Sequence, residues 1–248
     1  MQTELLDDLQ RMQSDFAAHR AQSGLRNRLQ NYFDTLHTCE TAEGAVPHLF
    51  AARVGGLRLL RAMQNDSLPQ PTAPCFSVSL SALCENAAFC ADLLCRASAK
   101  RIFFTGEAGV HAACRPQAVL WVILNLLSNA LEHGAGRYVF LQTAYIGTQA
   151  AVTVANEGDF SVPVFFSAQA KSGGGLWFAA KTAHLHKGGL YLAQSEGFST
   201  VTLSLPAAAP DLPQWAVPDF TDWLADGLSP IYASLCDSIF GTPPCENL

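Results

Sequence analysis

The sequence predicts an α+β protein, in which an N-terminal helical hairpin precedes a sandwich of helices on one face of a mixed β-sheet. Three observations lead to this prediction. Apolar residues recur at helical spacing through the first 66 positions, a proline-rich stretch follows, and strand-like and helix-like segments then alternate to about residue 206. Such alternation is typical of domains built from packed layers of sheet and helix.

The composition indicates a folded chain without an extended basic surface. Apolar residues make up 49% of the sequence, charged residues make up 15%, and the net charge is −6. Nucleic-acid binding is not expected, because phosphate neutralisation needs clustered Lys and Arg. The most apolar helix-like stretch, residues 119–131, is too short to span a bilayer. The N-terminus is acidic and does not resemble a secretory signal, so a cytoplasmic protein without a membrane span is expected.

Residues 1–66 are predicted to form the hairpin. A long helix is expected over residues 1–38, where apolar residues alternate by four and three, and a second helix over about residues 48–63. A hairpin alone cannot bury both apolar stripes, so a homodimer with a four-helix bundle is the first expectation. Packing of the hairpin on its own C-terminal domain is the alternative.

Residues 67–75 are interpreted as a linker, residues 76–206 as the sandwich, and residues 207–248 as an extension. The tail offers two short apolar helices, around residues 220–228 and 231–240, and either a packed cap or a partner-binding appendage fits it. Within the sandwich, strands are predicted at Phe76–Leu80, Arg101–Thr105, Tyr138–Ala144, Ala151–Ala155, Leu190–Gln194 and Thr200–Leu205, and helices at Ser81–Ala97, with Ser81 as its cap, Pro116–His133 and about Leu176–His186.

A polar stripe on the Pro116–His133 helix is the first candidate for chemistry. Asn125, Asn129 and His133 stand at i, i+4 and i+8 on an otherwise apolar helix and are expected to share one face. Buried amides are costly unless they are hydrogen-bonded, and their oxygens are hard ligands suited to Mg²⁺. The alternative is that these side chains cap nearby backbone groups or face solvent.

Two glycine-containing turns follow in the chain. Asn156-Glu157-Gly158 comes after a predicted strand, and Ser172-Gly173-Gly174-Gly175 leads directly into a helix. A glycine-rich turn at a helix N-terminus presents free N–H groups and the positive end of the helix dipole to a phosphate.

Taken together, these motifs resemble the catalytic and ATP-binding domain of sensor histidine kinases, in the superfamily shared with gyrase and Hsp90. The stretch 125–133 resembles the N-box, the stretch 154–158 resembles the first glycine box, and the stretch 173–176 resembles the second. The stretch 200–206 matches the closing strand of that family. The resemblance covers residues 76–206 in the order of the family.

The resemblance implies a role for each matching position, with ATP and Mg²⁺ as cofactors. Asn129 would ligate Mg²⁺, and Asn125 would support it or orient water. His133 would lie against adenine, Asn156 would accept from the adenine amino group, and Thr200 would support the adenine end. Backbone at Gly158, Gly173 and Gly175 would approach the nucleotide. The sequence departs from the family pattern at Asn156, which replaces Asp, and at Glu132, Phe160 and Trp177.

The phosphoacceptor is expected on the hairpin. The stretch His19 to Leu25 resembles the acceptor motif in its histidine, a hydroxyl residue and its final leucine, although Arg20 replaces the usual acidic neighbour. A rival alignment places Ser23 at the histidine position. The first functional hypothesis is a histidine kinase that phosphorylates His19 and passes phosphate to a response-regulator receiver domain. The alternatives are a non-catalytic adaptor or phosphotransfer protein on the same fold and, less favoured by the long hairpin, an anti-sigma-type serine kinase.

Overall fold

The computed structural model describes residues 2–19, 29–34, 36, 47–67, 72–158, 162–170 and 174–240. The hairpin region contains helix α1 (Gln2–His19) and helix α2 (Pro47–Asp66), and residues 29–34 between them are also helical. The single helix predicted over residues 1–38 is therefore seen in two described pieces. None of the described helices is both long and apolar enough to cross a membrane.

The domain that follows alternates strands with helices, as the pattern predicts. Its strands are β1 (Phe76–Ser79), β2 (Arg101–Gly106), β3 (His111–Cys114), β4 (Tyr138–Ile146), β5 (Gln149–Glu157), β6 (Gly189–Ser195) and β7 (Phe198–Pro206). Its helices are α3 (Leu80–Leu94, extended by a 3-10 turn at Cys95–Ser98), α4 (Pro116–His133), α5 (Val162–Ala170) and α6 (Gly175–Leu185). The tail adds β8 (Gln214–Trp215), α7 (Phe220–Ala225) and α8 (Pro230–Phe240).

Two sheets carry these strands instead of the one expected. A five-stranded sheet has the order β2-β4-β5-β7-β6, with β2 parallel to β4 and the other pairs antiparallel. A smaller sheet has the order β3-β1-β8. The sequence interpretation missed β3, β5's extra residues, β8 and α5, because short or uniformly apolar segments carry little periodic signal.

Helix α4 lies at the centre of the core and fixes the positions of the motif residues. It begins with Pro116 in its first turn, where the missing N–H costs nothing, and ends at Gly134. Its side chains from Val119 to Leu127 are all buried, so the helix is apolar on nearly every side. Such a helix must be covered all round, and the sheet, α3, α6 and α8 contribute to that cover.

The N-cap of α3 lies two residues before the predicted one. Ser79 is its cap and accepts a hydrogen bond from the Ala82 N–H at 3.2 Å. Ser81, the predicted cap, instead donates to the Glu107 carbonyl at 2.7 Å and accepts from the Val110 N–H at 3.1 Å. Serine is a favoured N-cap residue, so the sequence alone does not distinguish Ser79 from Ser81. The hydrogen bonds of Ser81 to the 107–110 turn leave Ser79 as the cap.

The described part of the tail, residues 207–240, packs on the rest of the chain. Strand β8 pairs in parallel with β1, and the Phe220 ring of α7 lies 4.6 Å from the Phe89 ring of α3, centroid to centroid. Helix α8 lies between α2 and α4 and buries Ile231, Leu235 and Cys236 completely.

This arrangement covers the described apolar stripe of the hairpin within one chain. Met12 and Leu57 are fully buried, and Leu9 is buried as well. Tyr32 also donates a hydrogen bond to the Ala52 carbonyl at 3.0 Å, which ties the 29–34 segment to α2. The alternative in which the hairpin packs on its own chain therefore describes this structure, and burial of these residues does not require a second copy.

Candidate functional site

A narrow cleft between α4, β5, α6 and β7 brings together motif residues that are distant in the sequence. Its walls combine apolar side chains with three of the predicted site residues. The lining residues are Leu126, Asn129, Ala130, His133, Val154, Asn156, Leu176, Ser199 and Val201. The cavity volume is only about 20 Å³, room for about one water molecule. Small-molecule pockets usually measure ~300–1,000 Å³, so a nucleotide would have to widen this cleft.

Helix α4 has two functional faces, not the single stripe predicted. Each helical residue turns by about 100°, so residues i and i+8 are separated by about 80° around the axis. This rotation lets Asn125 and His133 face different neighbours. Asn129 and His133 line the cleft, together with Leu126 and Ala130. Asn125 does not line the cleft; it is completely buried on the side that faces the hairpin.

The hairpin-facing side of α4 is held by polar contacts. Asn125 Nδ2 donates to Asn65 Oδ1 of α2 at 2.7 Å. One and two turns further along α4, Ser128 donates to the Glu132 carboxylate, which also accepts from Arg61 Nη1 at 3.1 Å. The negative charge of Glu132 is therefore paired with the hairpin and is not directed into the cleft.

Asn156 lies at the end of β5, at the mouth of the cleft. Its Nδ2 donates to the Glu157 carbonyl at 3.0 Å, and its Oδ1 is the acceptor that the resemblance requires. Gly134 makes this position possible, because a Cβ atom at residue 134 would lie 2.9 Å from Asn156 Nδ2. Gly134 follows α4 directly, and sequence reasoning did not assign it a role.

Gly158 and Ser199 form the next layer of this wall. Gly158 has a φ of +115°, which favours glycine, and its carbonyl accepts from Ser199 Oγ at 2.6 Å. Ser199 is buried in the cleft wall beside Val201.

Thr200 is not where the sequence analysis places it, since it lies on the opposite face of the sheet. Its Oγ1 donates to the Ala193 carbonyl at 3.1 Å in an exposed contact. Successive residues of a strand face opposite sides, so Ser199 takes the position expected of Thr200. Ser199 and Val201 are two positions apart and therefore lie on the same face of the strand. This alternation is the sequence signal that could have assigned Ser199, instead of Thr200, to the cleft.

The glycine-rich turn approaches α4 closely. Gly174 is the N-cap of α6, and a Cβ atom at residue 175 would lie 3.1 Å from Asn125 Oδ1. Gly175 therefore contacts Asn125 and the hairpin-facing side of α4. Gly173 and Phe160 lie outside the described residues, and so does the side chain of His19, whose backbone ends α1.

A larger cavity of about 640 Å³ lies on the other side of His133. The charges of its Lys, Arg, Asp and Glu residues sum to zero, since two cations, Arg58 and Lys100, line it together with two anions, Glu132 and Asp237. Arg58 is paired with Asp237 at 2.6 Å. Lys100 donates to the carbonyls of the 134–136 connection, at 2.8 and 3.0 Å. This cavity has no net preference for an anion, and Lys100 serves to close the end of α4.

His186 joins the far ends of α4 and α6. Its Nε2 accepts from the Arg115 N–H at 3.0 Å, and its Nδ1 donates to the Thr182 carbonyl at 2.7 Å. These partners require the neutral imidazole with its proton on Nδ1. Burial, and then the nearby Arg115 charge, lower the pKa of His186 below its ordinary value of 6.5, against the opposing effect of the Thr182 bond.

The described residues contain no group of three or more His, Cys, Asp or Glu side chains that could hold a metal ion. Among the side chains that line the cleft, the amide oxygen of Asn129 is a hard ligand of the kind that Mg²⁺ accepts. Mg²⁺ binds through one or two protein ligands when substrate phosphates supply the others. The donors fit a Mg·nucleotide, whereas the present volume of the cleft fits only water.

Comparison with known proteins identifies the fold. No protein-family profile matches the sequence, and comparison with characterised protein sequences finds no match. Among solved structures, full-length ShkA in complex with AMPPNP aligns with 74% of this chain and 44% of its own length, at 16% identity and a TM-score of 0.58. The ATP-binding domain of PrrB from Mycobacterium tuberculosis aligns with 55% of this chain and all of its own, at 21% identity and a TM-score of 0.48. The histidine kinase AdeS from Acinetobacter baumannii aligns with 83% and 96%, at 11% identity and a TM-score of 0.48.

The alignment with ShkA extends over about three quarters of the chain. The chain therefore has the fold of a histidine kinase catalytic and ATP-binding domain, preceded by N-terminal helices. The predicted fold class is confirmed.

Proposed function

We propose that this chain is a histidine kinase-like signalling protein that binds an adenine nucleotide in the cleft between α4, β5, α6 and β7. One observation supports this most directly. Asn129, His133 and Asn156, separated by up to 27 positions, line one cavity with Leu176 and Ser199. Full-length ShkA, which has a similar fold, has been solved in complex with AMPPNP.

Each wall of the cleft has a proposed task. Asn129 holds Mg²⁺ through its amide oxygen, and Mg²⁺ would supply charge neutralisation at the phosphates. Asn156 accepts from the adenine amino group, and His133 covers the base at the cleft mouth. Gly158 is kept in place by Ser199. The apolar side chains Leu126, Val154, Leu176 and Val201 exclude water from the base.

Beyond binding, we propose the phosphoryl-transfer function. His19 accepts phosphate and passes it to the receiver domain of a cytoplasmic response regulator, and residues 1–66 carry the hairpin that also forms a homodimer. Residues 76–206 then act as the nucleotide unit, residues 67–75 as its linker and residues 207–248 as its cap. Catalysis by such a protein consists mainly of positioning and charge stabilisation.

Incubation with labelled Mg·ATP tests this function. We expect an acid-labile, base-stable phosphoprotein whose label disappears in His19→Ala and falls at least about tenfold in Asn129→Ala, because one Mg²⁺ ligand is lost. His184→Ala is the matched control, since His184 is exposed on α6. Equal labelling of the wild-type protein and the His19→Ala variant would exclude His19 as the acceptor.

A second function, a non-catalytic adaptor, is favoured by the narrowness of the cleft. A volume of about 20 Å³ leaves no space for adenine, and Asn125 is engaged with the hairpin. Calorimetric titration with Mg·ADP separates the two functions. Binding that weakens in Asn129→Ala supports the nucleotide-binding protein, whereas no heat at high micromolar nucleotide supports the adaptor.

A further inference from the structure

A buried amide pair joins the end of the hairpin to the centre of the α/β domain. Asn65 lies one residue before the end of α2 and is 5% exposed, and Asn125 is fully buried. The Asn125 amide nitrogen donates to the Asn65 side-chain oxygen at 2.7 Å. Two amides so far from water are stable only when they bond to each other or to backbone groups.

The other side of the Asn125 amide faces the glycine-rich turn. A Cβ atom at residue 175 would lie 3.1 Å from both Cγ and Oδ1 of Asn125. Asn125 Oδ1 has no hydrogen-bond partner among the described residues. Among the described residues, the hydrogen bond that holds the Asn125 amide against the first turn of α6 comes from the hairpin.

Helix α6 carries this contact into the cleft. Leu176, the residue after Gly175, is buried in the cleft wall opposite Asn129 and Asn156. A shift of the Asn125 side chain would therefore move the first turn of α6 and, with it, one wall of the cleft.

A second polar link joins the same two helices one turn of α2 earlier. Arg61 reaches Glu132 at 3.1 Å and Asp237 of α8 at 3.5 Å. Because residue numbers rise along α2 from 61 to 65 and fall along α4 from 132 to 125, the two helices run antiparallel at this contact. The Arg61 link holds the hairpin without touching α6, which makes it a natural control.

We propose that Asn65 is a positioning residue for the nucleotide site: its bond to Asn125 fixes the first turn of α6 and so couples the hairpin to the shape of the cleft. The nucleotide part of this inference rests on the proposed function. The coupling itself, from Asn65 through Asn125 to Gly175, does not depend on a bound nucleotide.

Hydrogen–deuterium exchange of the full chain tests the coupling. Asn65→Leu removes the acceptor at similar size, and we expect the backbone amides of residues 176–179 to exchange about tenfold faster, because a lost buried hydrogen bond changes local opening by roughly that factor. Asn65→Gln keeps an uncharged amide oxygen as acceptor and should restore slow exchange. Unchanged exchange in Asn65→Leu, or exchange in Asn65→Gln as fast as in Asn65→Leu, would overturn the proposal.

Arg61→Ala separates specific coupling from general loosening. This variant weakens the hairpin contact at Glu132 and leaves the Asn65–Asn125 bond intact, so residues 176–179 should exchange as in the wild type. If Arg61→Ala accelerates that turn as much as Asn65→Leu does, general loosening explains the effect and the proposal fails.

Mg·ADP titration of the same variants adds a functional readout. We expect Asn65→Leu to change the Kd for Mg·ADP at least threefold, a change within the range that one buried hydrogen bond can produce. Asn65→Gln should stay close to wild type. Absence of Mg·ADP binding in the wild-type protein would defeat the proposed function alone. The exchange experiment would still decide the coupling.

Discussion

At the scale of single residues, the hydrogen-bond partners of a polar side chain determine its role in this protein. His186 shows this clearly, because both of its ring nitrogens are used: one accepts from the Arg115 N–H and the other donates to the Thr182 carbonyl. A protonated imidazole would turn the acceptor into a donor that faces another donor. The pKa of His186 is accordingly lowered.

This lowered pKa predicts a pH dependence of stability. The unfolded chain binds a proton at His186 below about pH 6.5, whereas the folded chain binds it only at lower pH. The stabilisation is fully present above pH 6.5 and is lost as pH falls through the lowered folded value. Urea unfolding at several values between about pH 5 and pH 8 measures the slope of the unfolding free energy against pH. This slope should be smaller in His186→Gln than in the wild type. His184→Gln, which changes an exposed histidine, should keep the wild-type slope.

The neighbouring hydroxyl residues of β7 provide a second prediction. Ser199→Ala removes a 2.6 Å bond to the Gly158 carbonyl in the cleft wall, which should cost about 1 kcal/mol of unfolding free energy and weaken Mg·ADP binding. Thr200→Ala removes an exposed bond on the other face of the sheet and should leave the affinity unchanged. Equal losses of affinity in calorimetry would contradict the assignment of Ser199 to the cleft.

At the scale of elements, α4 connects the two halves of the proposed function. Its cleft face carries Asn129 and His133, and its hairpin face carries Asn125 and Glu132. The 3.6-residue turn separates these faces although the motif is continuous in sequence. Movement of the hairpin can therefore reach the cleft through α4, and also through α6, which contacts Asn125 at Gly175 and packs against α2.

In the connection from α6 to β6, position 188 should tolerate no side chain. The helix predicted over about Leu176–His186 ends within one residue of that bound, since α6 ends at Leu185 and β6 begins at Gly189. A Cβ atom at residue 188 would overlap the Ser204 carbonyl oxygen of β7, so Gly188→Ala should lower the free energy of unfolding by at least ~2 kcal/mol. Gly147→Ala is a useful contrast, since its Cβ atom would meet nothing within 4 Å, although its φ of +61° retains some backbone strain. Chemical denaturation should rank the two variants in that order.

At the scale of the whole molecule, the tail and the hairpin share one core. Helix α8 buries Ile231 and Leu235 completely between α2 and α4, and the Arg58–Asp237 ion pair lies at its edge. The chain that ends at residue 229 should lose at least ~3 kcal/mol, since each fully buried aliphatic side chain contributes ~1.5–3 kcal/mol. Light scattering and thermal unfolding would report self-association or unfolding of that chain. Full thermal stability without α8 would show that the tail is not part of the core.

The ion pair at the edge of α8 should contribute far less to the free energy of unfolding than the buried apolar face of the helix. Asp237→Asn should change stability by no more than about 1 kcal/mol, because partly exposed ion pairs are weak. Leu235→Ala, from the buried face, should cost ~2–5 kcal/mol. Thermal denaturation of the two variants measures this difference directly.

The sequence by itself determined the fold class and the bounds of α4, because local periodicity and turn chemistry depend on residues close in the chain. The family resemblance of the motifs predicted one site for Asn129, His133 and Asn156, and the tertiary structure brings these side chains, up to 27 positions apart, to one cleft. Only the tertiary structure decided that Asn125 faces the hairpin, that Ser199 and not Thr200 faces the cleft, and that the tail covers α2. These outcomes depend on which surfaces meet, and contacts such as Asn65 with Asn125, 60 positions apart, leave no local pattern from which they could be predicted.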